Sequence, residues 1–374
     1  MEQKLIERLT RWPIIEDNTI DRCIDYLKKG KISIPNGDIL EEFEKNFSEY
    51  LNMKYALAHN NGTSSLYAAY YALGLKAGDC VLIPNFTWTA TATPLLPLGV
   101  IPIFCDVDEA TLNISVKDME KKYNPQVKAV IAVHMWGNPC DMDSIMSFAK
   151  KHNIYVVEDC SHAHGAVYKG KKVGTFGDIA CFSMQATKIV AGGELGIAVT
   201  NSYKYYKKMV ELGQQGRIKE LLECEARVAE GGLGYKFRPF PLALIIANDQ
   251  LKKIDKINKD RRRMLEILNS VLTSKPSVKI VRSYSESERT CYSYIFEYTG
   301  RKEIDNLVSE CLSQNVPIHK MRYKLVDTIE PFTKYKTETP IIEKKINRLL
   351  MIDLFNCGEK ELIEKFAKEL GELL

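Results

Sequence analysis

The sequence lacks the features that mark several large classes of protein. No apolar run reaches the roughly 18 residues of a membrane-spanning helix, and residues 1–15 are charged, without the apolar segment of a secretory signal peptide. The net charge is only +4, from 52 basic and 48 acidic residues, and gives no indication of nucleic-acid or membrane binding. We therefore expect a cytoplasmic protein whose partners include neither a nucleic acid nor a membrane.

Paired cysteines are also missing. None of the ten cysteines forms a CxxC pair, the spacing that many zinc and redox sites use. Several, such as Cys105 and Cys181, lie in apolar strand-like runs, where a free thiol packs as a small apolar side chain. The sequence therefore predicts reduced thiols and no metal site.

The pattern that is present is an alternation of short apolar runs with helical patterns such as residues 63–73 and 141–152. Continuous apolar runs fit strands that are covered on both faces, and their alternation with helices predicts an α/β fold with a mostly parallel sheet. The predicted strands cover residues 80–84, 101–105, 129–133, 155–158, 180–183 and 196–200.

The 374 residues are enough for two domains. A long helical pattern begins at about Pro241 and continues to Leu268, and we expect it to link them. Strand and helix patterns resume after about residue 277 and predict a smaller α+β domain. The predicted division is an N-terminal arm or helix (1–30), a large domain (31–250), and the linking helix with a small C-terminal domain (251–374).

Four segments carry residues with the chemistry of a binding or catalytic site. In the first, residues 61–66 (NGTSSL), a glycine and hydroxyl side chains stand at the start of a predicted helix. Free N–H groups and the positive end of a helix dipole bind phosphate, although plain helix capping would use the same residues.

In the second segment, an apolar strand ends in Glu158 and Asp159. Ligands lie at such strand ends, and either carboxylate could point inward to hold a cationic nitrogen, or else cap the next turn.

The third segment places Ser183 at a strand end, Lys188 five residues later, and a glycine-rich run at residues 192–196. A lysine enclosed in a cleft loses its proton more readily and becomes an amine nucleophile, whereas most single lysines are solvated surface charges. Ser183 is placed to contact the same phosphate as Thr63.

The fourth segment, residues 234–239 (GYKFRP), precedes the predicted linking helix. It combines two cations, Lys236 and Arg238, with two aromatic residues. This composition suits an anion or a subunit contact, and a surface loop is the alternative.

In this order, the four segments resemble the fold-type I pyridoxal-phosphate (PLP) enzymes and, more narrowly, the DegT/DnrJ/EryC1/StrS family of sugar aminotransferases. The resemblance extends from Trp12-Pro13 past the GYKFRP segment and weakens after about residue 275; further family-like motifs lie at residues 37–47, 102–108, 133–137 and 158–166. It implies an aspartate-aminotransferase-like fold, with a large domain around a mostly parallel, seven-stranded sheet and a small α+β C-terminal domain.

The resemblance also implies a role for individual residues. Lys188 matches the lysine that forms a Schiff base with PLP and then moves protons as a general acid and base. Asp159 matches the carboxylate that faces the pyridine nitrogen and keeps the ring able to accept electrons. Trp88 matches the aromatic residue that stacks on the cofactor ring, with core packing as the alternative. The implied phosphate contacts are Gly62, Thr63, Ser64 and Ser183.

Three positions depart from the commonest family pattern. His162 stands where many members carry glutamine against the cofactor 3-hydroxyl, a contact that an imidazole nitrogen is also able to make. Lys236 stands where many carry asparagine, which reaches the phosphate from the neighbouring subunit, and this contact implies a homodimer with active sites at the interface. Leu195 replaces a glycine, which costs backbone freedom if the position needs a positive φ, or places an apolar side chain near the cleft.

The implied activity is a PLP-dependent transamination from glutamate or glutamine to a keto-sugar, most often nucleotide-linked, for a surface polysaccharide or a secondary metabolite. His134, Trp136 and Arg238 are tentative substrate contacts, with packing as the alternative for the first two. Other acceptors would be a keto-inositol or an eight-carbon ulosonate, and a non-catalytic PLP-binding regulator is a further alternative. Lys188 argues against the dehydratases of this scaffold, which carry histidine there. Acceptor specificity is expected in loops such as residues 217–232.

Overall fold

Helices and strands alternate through the first two thirds of the chain, as the sequence predicts. The computed structural model describes residues 3–34, 38–221 and 234–374. Its helices are α1 (Gln3–Thr10), α2 (Asp17–Lys28), α3 (Ile39–Leu51), α4 (Gly62–Leu73), α5 (Val116–Lys122), α6 (Met142–His152), α7 (Tyr203–Gly213), α8 (Pro241–Lys252), α9 (Ile254–Leu272), α10 (Ile304–Ser313), α11 (Pro340–Lys345) and α12 (Lys360–Leu373). Its strands are β1 (Tyr55–His59), β2 (Cys80–Pro84), β3 (Ile101–Cys105), β4 (Val127–Val133), β5 (Tyr155–Asp159), β6 (Val167–Tyr168), β7 (Lys171–Lys172), β8 (Ile179–Ser183), β9 (Gly196–Thr200), β10 (Val278–Ile280), β11 (Ser287–Glu288), β12 (Tyr294–Tyr298), β13 (His319–Lys320) and β14 (Leu349–Ile352).

Seven strands form the large sheet, in the order β1-β9-β8-β5-β4-β2-β3. The strands from β8 to β3 run parallel to their neighbours, whereas β9 is antiparallel to both β8 and β1. The central strands β4 and β5 are mostly buried, as expected where both faces of a sheet are covered. The predicted α/β fold with a mostly parallel, seven-stranded sheet is confirmed.

The six predicted strands are all present in this sheet. The sequence pattern misses β1, because its Tyr-Ala-Leu-Ala-His run contains two alanines and none of the β-branched residues that mark a strand. β1 pairs with β9 along its whole length, from Tyr55 opposite Thr200 to His59 opposite Gly196. This pairing brings the start of α4 beside the end of β8 and the start of β9.

The predicted linking helix is divided in two. Lys253 leaves the helical conformation, with φ −107° and ψ 2°, and its N–H donates to the Gln250 carbonyl at 3.1 Å. α8 buries Leu244 in the core of the large domain, whereas α9 buries Leu268 in that of the small domain. A single continuous helix is therefore wrong here, because the break lets each half turn its apolar face to a different core. The predicted domain boundary at residue 250 lies just before this break.

A second apolar core surrounds the four-stranded sheet β10-β12-β14-β13. Leu9 of α1 belongs to it, and the Leu9 carbonyl accepts hydrogen bonds from the N–H groups of Phe355 and Asn356. α2 lies instead on the large domain, where Arg22 binds Glu42 of α3. The predicted arm over residues 1–30 thus contains two helices with different packing partners. Among the helices of the described ranges, none combines the length and the apolar character needed to cross a membrane.

Candidate active site

A cavity of about 660 Å³ lies between the carboxyl edge of the large sheet and the small domain. Strands β5 and β8, the start of α4 and the turn after β8 supply one side of it. It brings together many of the residues predicted from sequence, namely Gly62, Thr63, Trp88, Asp159, His162, Ser183 and Lys188.

Asp159 ends β5 and faces this cavity with its carboxylate held from two sides. Oδ2 accepts a hydrogen bond from Thr91 Oγ1 at 2.8 Å. Oδ1 accepts from the N–H and the hydroxyl of Ser161, at 3.1 and 2.6 Å. These three hydrogen bonds fix the orientation of the carboxylate, so Asp159 is placed to face a cationic nitrogen in the cavity.

Glu158 points to the opposite side of the sheet, because successive side chains of a strand alternate. Its carboxylate accepts hydrogen bonds from the N–H groups of Gly174, Phe176 and Gly177 at 2.7 to 2.8 Å. Burial would raise the pKa of Glu158, but these bonds and the contact with His134 hold the pKa below its ordinary value. Of the two carboxylates that the sequence left open, Asp159 is therefore the one that faces the cavity.

Lys188 lies in the turn between β8 and β9, at the wall of the cavity. Its Nζ is 4.5 Å from the centre of the Tyr292 ring. Burial lowers the pKa of Lys188 to about 8, against the opposing charge of Asp159. An amine with this pKa is partly neutral near neutral pH, which nucleophilic attack on a carbonyl requires.

The lowered pKa of Lys188 predicts how PLP attachment depends on pH. Only the neutral amine attacks an aldehyde, so attachment to cofactor-free protein should accelerate up to about pH 8 and level off above it. A solvated lysine would still accelerate up to about pH 10.4. Stopped-flow absorbance over this range measures the profile, and a plateau reached only near the higher value would contradict an enclosed amine.

The turn between β1 and α4 presents backbone donors to the cavity. Asn61 caps the helix, and its Oδ1 accepts from the Ser64 N–H at 2.8 Å. Ser64 is thereby engaged and does not line the cavity, so its predicted phosphate contact is not supported. The N–H groups of Gly62 and Thr63 have no hydrogen-bond partner among the described residues. They and the helix dipole form a site for an anion.

Glycine allows this turn to lie directly against the end of β8. A Cβ on Gly62 would lie 2.6 Å from Cβ of Ser183, and a Cβ on Gly196, the partner of Ser183 across β8 and β9, would lie 2.6 Å from the Gly62 nitrogen. The hydroxyls of Thr63 and Ser183 add to the free N–H groups. This donor set fits the phosphate of PLP, and the carboxylate and amine described above fit its pyridine nitrogen and its aldehyde.

His162 stacks on Tyr292, with ring centres 4.3 Å apart and ring planes 11° apart. Its Nδ1 accepts from the Trp136 N–H at 3.3 Å. Burial, and then the charge of Lys188, lower the pKa of His162 well below its ordinary value. The neutral ring therefore carries its proton on Nε2, which is suited to donate to an oxygen such as the 3-oxygen of PLP.

Trp88 lies at the mouth of the cavity. Its side chain is 57% exposed, and its ring meets that of Tyr323 edge to face, with 5.5 Å between centres. The alternative of core packing is therefore wrong for Trp88, and stacking on the cofactor ring stays a prediction.

His134 and Trp136 do not line the cavity, and both are fully buried. His134 Nε2 is 3.2 Å from Glu158 Oε2, and its Nδ1 accepts from the Cys140 N–H at 3.0 Å. Trp136 packs against Phe86, with 5.2 Å between ring centres. The tentative substrate contacts are corrected to packing roles, because neither side chain reaches the space where a substrate would lie.

The His134–Glu158 contact also belongs to a cluster with metal-like spacing. The ligand atoms of His134, Glu158 and Cys160 lie within 4.8 Å of one another. Both nitrogens of the histidine and both oxygens of the glutamate are already engaged in the hydrogen bonds described above. An ion here would have to displace them.

Lys236 is exposed, Arg238 is half-buried, and neither lines the cavity of its own chain. The backbone of this segment is nevertheless held beside the phosphate turn, since Asn60 N–H donates to the Phe237 carbonyl at 2.7 Å. Residues 222–233, which include most of the predicted specificity loop, lie outside the described residues.

Leu195, the substitution in the glycine-rich turn, causes no conformational conflict. Gly193 has φ +91°, whereas Leu195 is not among the residues with positive φ. Its side chain is fully buried and does not line the cavity. Neither consequence considered for this substitution is therefore found.

The small domain completes the cavity with residues that the sequence analysis missed. Arg322 forms an ion pair with Asp353, whose other oxygen accepts from Ser293 Oγ at 2.7 Å. The family resemblance is weakest in this part of the chain. The only local indication of a binding site was the adjacent pair of a basic and an aromatic residue at 322–323. The small-domain residues on the cavity wall are Tyr292, Arg322, Tyr323, Asp353 and Phe355.

Comparison with known proteins agrees with this geometry. The model of the DegT/DnrJ/EryC1/StrS aminotransferase family matches residues 13–370. A GDP-perosamine synthase from Escherichia coli O157:H7 is 33% identical over 363 residues, which cover 96% of this chain and 95% of that protein. An L-glutamine:2-deoxy-scyllo-inosose aminotransferase from Streptomyces kanamyceticus is 31% identical over 301 residues, covering 76% and 69%. The solved structure of an aminotransferase from Psychrobacter cryohalolentis superposes with a TM-score of 0.90 at 26% identity, covering 98% of both chains.

Proposed function

The chain belongs to the DegT/DnrJ/EryC1/StrS aminotransferase family, and we propose that it transfers an amino group from glutamate or glutamine to the keto group of a nucleotide-linked sugar. The reaction would serve amino-sugar biosynthesis, for a surface polysaccharide or a secondary metabolite. The observation that carries the proposal is the presence of an enclosed amine, Lys188, and a fixed carboxylate, Asp159, in one cavity beside a phosphate-binding turn.

The residues of the cavity divide the work of such a transfer. Bound PLP supplies the electron sink for the bond changes at the amino-bearing carbon. Asp159 would hold a proton on the pyridine nitrogen, and the N–H groups of Gly62 and Thr63 would hold the phosphate. Lys188 would hold the cofactor through its amine and would serve as the acid and base for the proton transfer. The aromatic wall of the cavity excludes water from these groups.

A nucleotide-linked acceptor is supported by the similarity to a GDP-perosamine synthase over nearly the whole of both chains. The mouth of the cavity suits a sugar, because Trp88 and Tyr323 offer aromatic faces there. Arg322 places a cation on the same wall, where it suits a donor carboxylate or a phosphate.

The proposed active unit is a homodimer in the cytoplasm. Lys236 is exposed and outside its own cavity, so a phosphate contact from this residue would have to be made to a second copy. Tyr235 and Phe240 flank it with exposed aromatic side chains, which suit a subunit contact. All nine cysteines in the described part of the chain are free thiols, which fits a reducing compartment.

An acceptor panel tests the function. Protein loaded with PLP is incubated with L-glutamate or L-glutamine and a nucleotide-linked keto-sugar, a keto-inositol or an eight-carbon ulosonate, and mass spectrometry follows the oxo acid and the aminated product. We expect a nucleotide-linked keto-sugar to be favoured by at least about 100-fold in kcat/KM, since unmatched polar groups penalise the other acceptors. Preference for a keto-inositol would overturn the acceptor class, and oxo-acid formation with no aminated product from any acceptor would overturn the transfer to a sugar.

A further inference from the structure

Arg261 of α9 is a fully buried cation that forms no ion pair with a carboxylate among the described residues. Its guanidinium donates instead to the carbonyls of Cys291, Tyr292 and Phe355, at 3.2, 3.4 and 3.1 Å. A buried charge without a counter-ion is costly, so such a residue persists where its contacts have a use.

The three carbonyls belong to two of the small-domain segments that bring aromatic residues to the cavity. Tyr292 and Phe355 both line it. Cys291 has φ +52°, an uncommon conformation for a residue with a side chain, and the Arg261 contact holds its carbonyl in place. Arg261 therefore fixes a strained turn immediately before Tyr292.

Tyr292 is in turn the residue that touches the reactive amine and its neighbours. Its ring centre is 4.5 Å from Lys188 Nζ and 4.3 Å from the His162 ring. Its hydroxyl is 2.7 Å from Thr187 Oγ1, on the residue next to the lysine. A displacement of Tyr292 would change the surroundings of the amine directly.

Trp12 contacts both Arg261 and the backbone of Lys188. Its indole N–H donates to the Lys188 carbonyl at 2.8 Å, and its ring lies 5.1 Å from the Arg261 guanidinium carbon. Trp12 stands between α1, which packs on the small domain, and α2, which packs on the large one. One buried cation thus contacts both the N-terminal segment and the turn that carries Tyr292.

We propose that Trp12 and Arg261 are positioning residues that hold the Lys188 amine in its reactive orientation by fixing the Lys188 backbone and the Tyr292 ring to one buried cation. This inference rests on the proposed function, because it assigns Lys188 the attachment of PLP. It does not depend on which sugar accepts the amino group.

Two substitutions test whether Trp12 and Arg261 position the Lys188 amine or only contribute to packing. Trp12→Phe keeps an aromatic ring beside Arg261 and removes the indole N–H, and Arg261→Lys keeps the charge but loses the planar fork. Arg263→Lys is the matched control, since Arg263 lies on the same helix and binds the Cys357 and Gly358 carbonyls away from the cavity. The rate and pH profile of PLP attachment to cofactor-free protein are measured by absorbance, together with thermal unfolding.

We expect PLP attachment to slow about three- to tenfold in Trp12→Phe, the scale of one neutral hydrogen bond. In Arg261→Lys it should slow about tenfold or more, the scale of one charge-assisted hydrogen bond. In both variants the pH profile of attachment should be displaced. Arg263→Lys should match the unmodified protein. If both variants match Arg263→Lys in rate and profile, the inference is overturned. If Arg261→Lys does not fold, Trp12→Phe decides by the same comparison. A protein that attaches PLP normally but aminates no sugar contradicts the proposed function and leaves this inference standing.

Discussion

Replacement of Lys188 by alanine is expected to abolish covalent attachment of PLP and to lower turnover by at least about 10⁴-fold, the scale that loss of a positioned acid–base group reaches. The enclosed amine has a pKa of about 8 and sits beside Asp159 in the cavity, so no other described group there supplies the same chemistry. Borohydride reduction followed by peptide mass spectrometry measures attachment directly. The adduct should be found on Lys188 in the unmodified protein and nowhere in the variant.

Lys172→Ala is the matched control for this result. Lys172 is also partly enclosed, and burial lowers its pKa; its Nζ lies 3.5 Å from the centre of the Tyr50 ring. It is outside the cavity, so its removal should leave the adduct unchanged. A reduction-stable adduct that persists in Lys188→Ala would show that another lysine holds the cofactor.

Replacement of Asp159 by asparagine is expected to lower kcat by about 10²–10³-fold, the scale for loss of one preorganised electrostatic contact in an enclosed site. The substitution keeps the shape of the side chain but removes the charge that holds a proton on the pyridine nitrogen. The Thr91 hydroxyl is able to rotate and accept from the new amide, so the fold should be retained. Steady-state kinetics and the absorbance spectrum of the bound cofactor measure the effect.

Glu158→Gln distinguishes the two adjacent carboxylates. Glu158 binds three backbone N–H groups of the 174–177 loop and lies away from the cavity. Its replacement should lower the melting temperature while kcat of the folded protein stays close to that of the unmodified enzyme. The opposite pattern, with kcat lost in Glu158→Gln and kept in Asp159→Asn, would reverse the assignment of the two side chains.

The sequence was sufficient for the parts of the site that follow from local pattern. Apolar runs located six of the seven strands of the large sheet. Asp159 and Ser183 end two of these strands and Lys188 lies in the turn after the second, and all three reach one cavity because parallel strands end at one edge. The alternation of a strand places Glu158 and Asp159 on opposite faces, but both faces of this sheet are covered. The sequence therefore does not tell which of the two carboxylates faces the cavity, because that depends on tertiary packing.

Residues that reach the site through packing of the second domain were not predictable in this way. Tyr292, Arg322 and Asp353 are more than 100 residues away from Lys188 and meet it only because the small domain closes on the large sheet. His134 and Trp136 show the converse, since they follow a strand of the same edge yet turn into the core. A position next to a strand end predicts that the residue lies near the site. It does not predict the direction of the side chain, which depends on what the side chain packs against.

The antiparallel pairing of β8 with β9 has a consequence for how this site tolerates change. Ser183 and Gly196 face each other across these strands, so the loop that carries Lys188 leaves the sheet and returns to it at one place, beside the phosphate turn. Both ends of the loop are fixed by strand pairing, and Ile189, Val190 and Leu195 within it are fully buried. The loop and the phosphate turn are therefore held by separate contacts, so a substitution of Lys188 changes the chemistry at the amine while the turn that recognises the phosphate keeps its form.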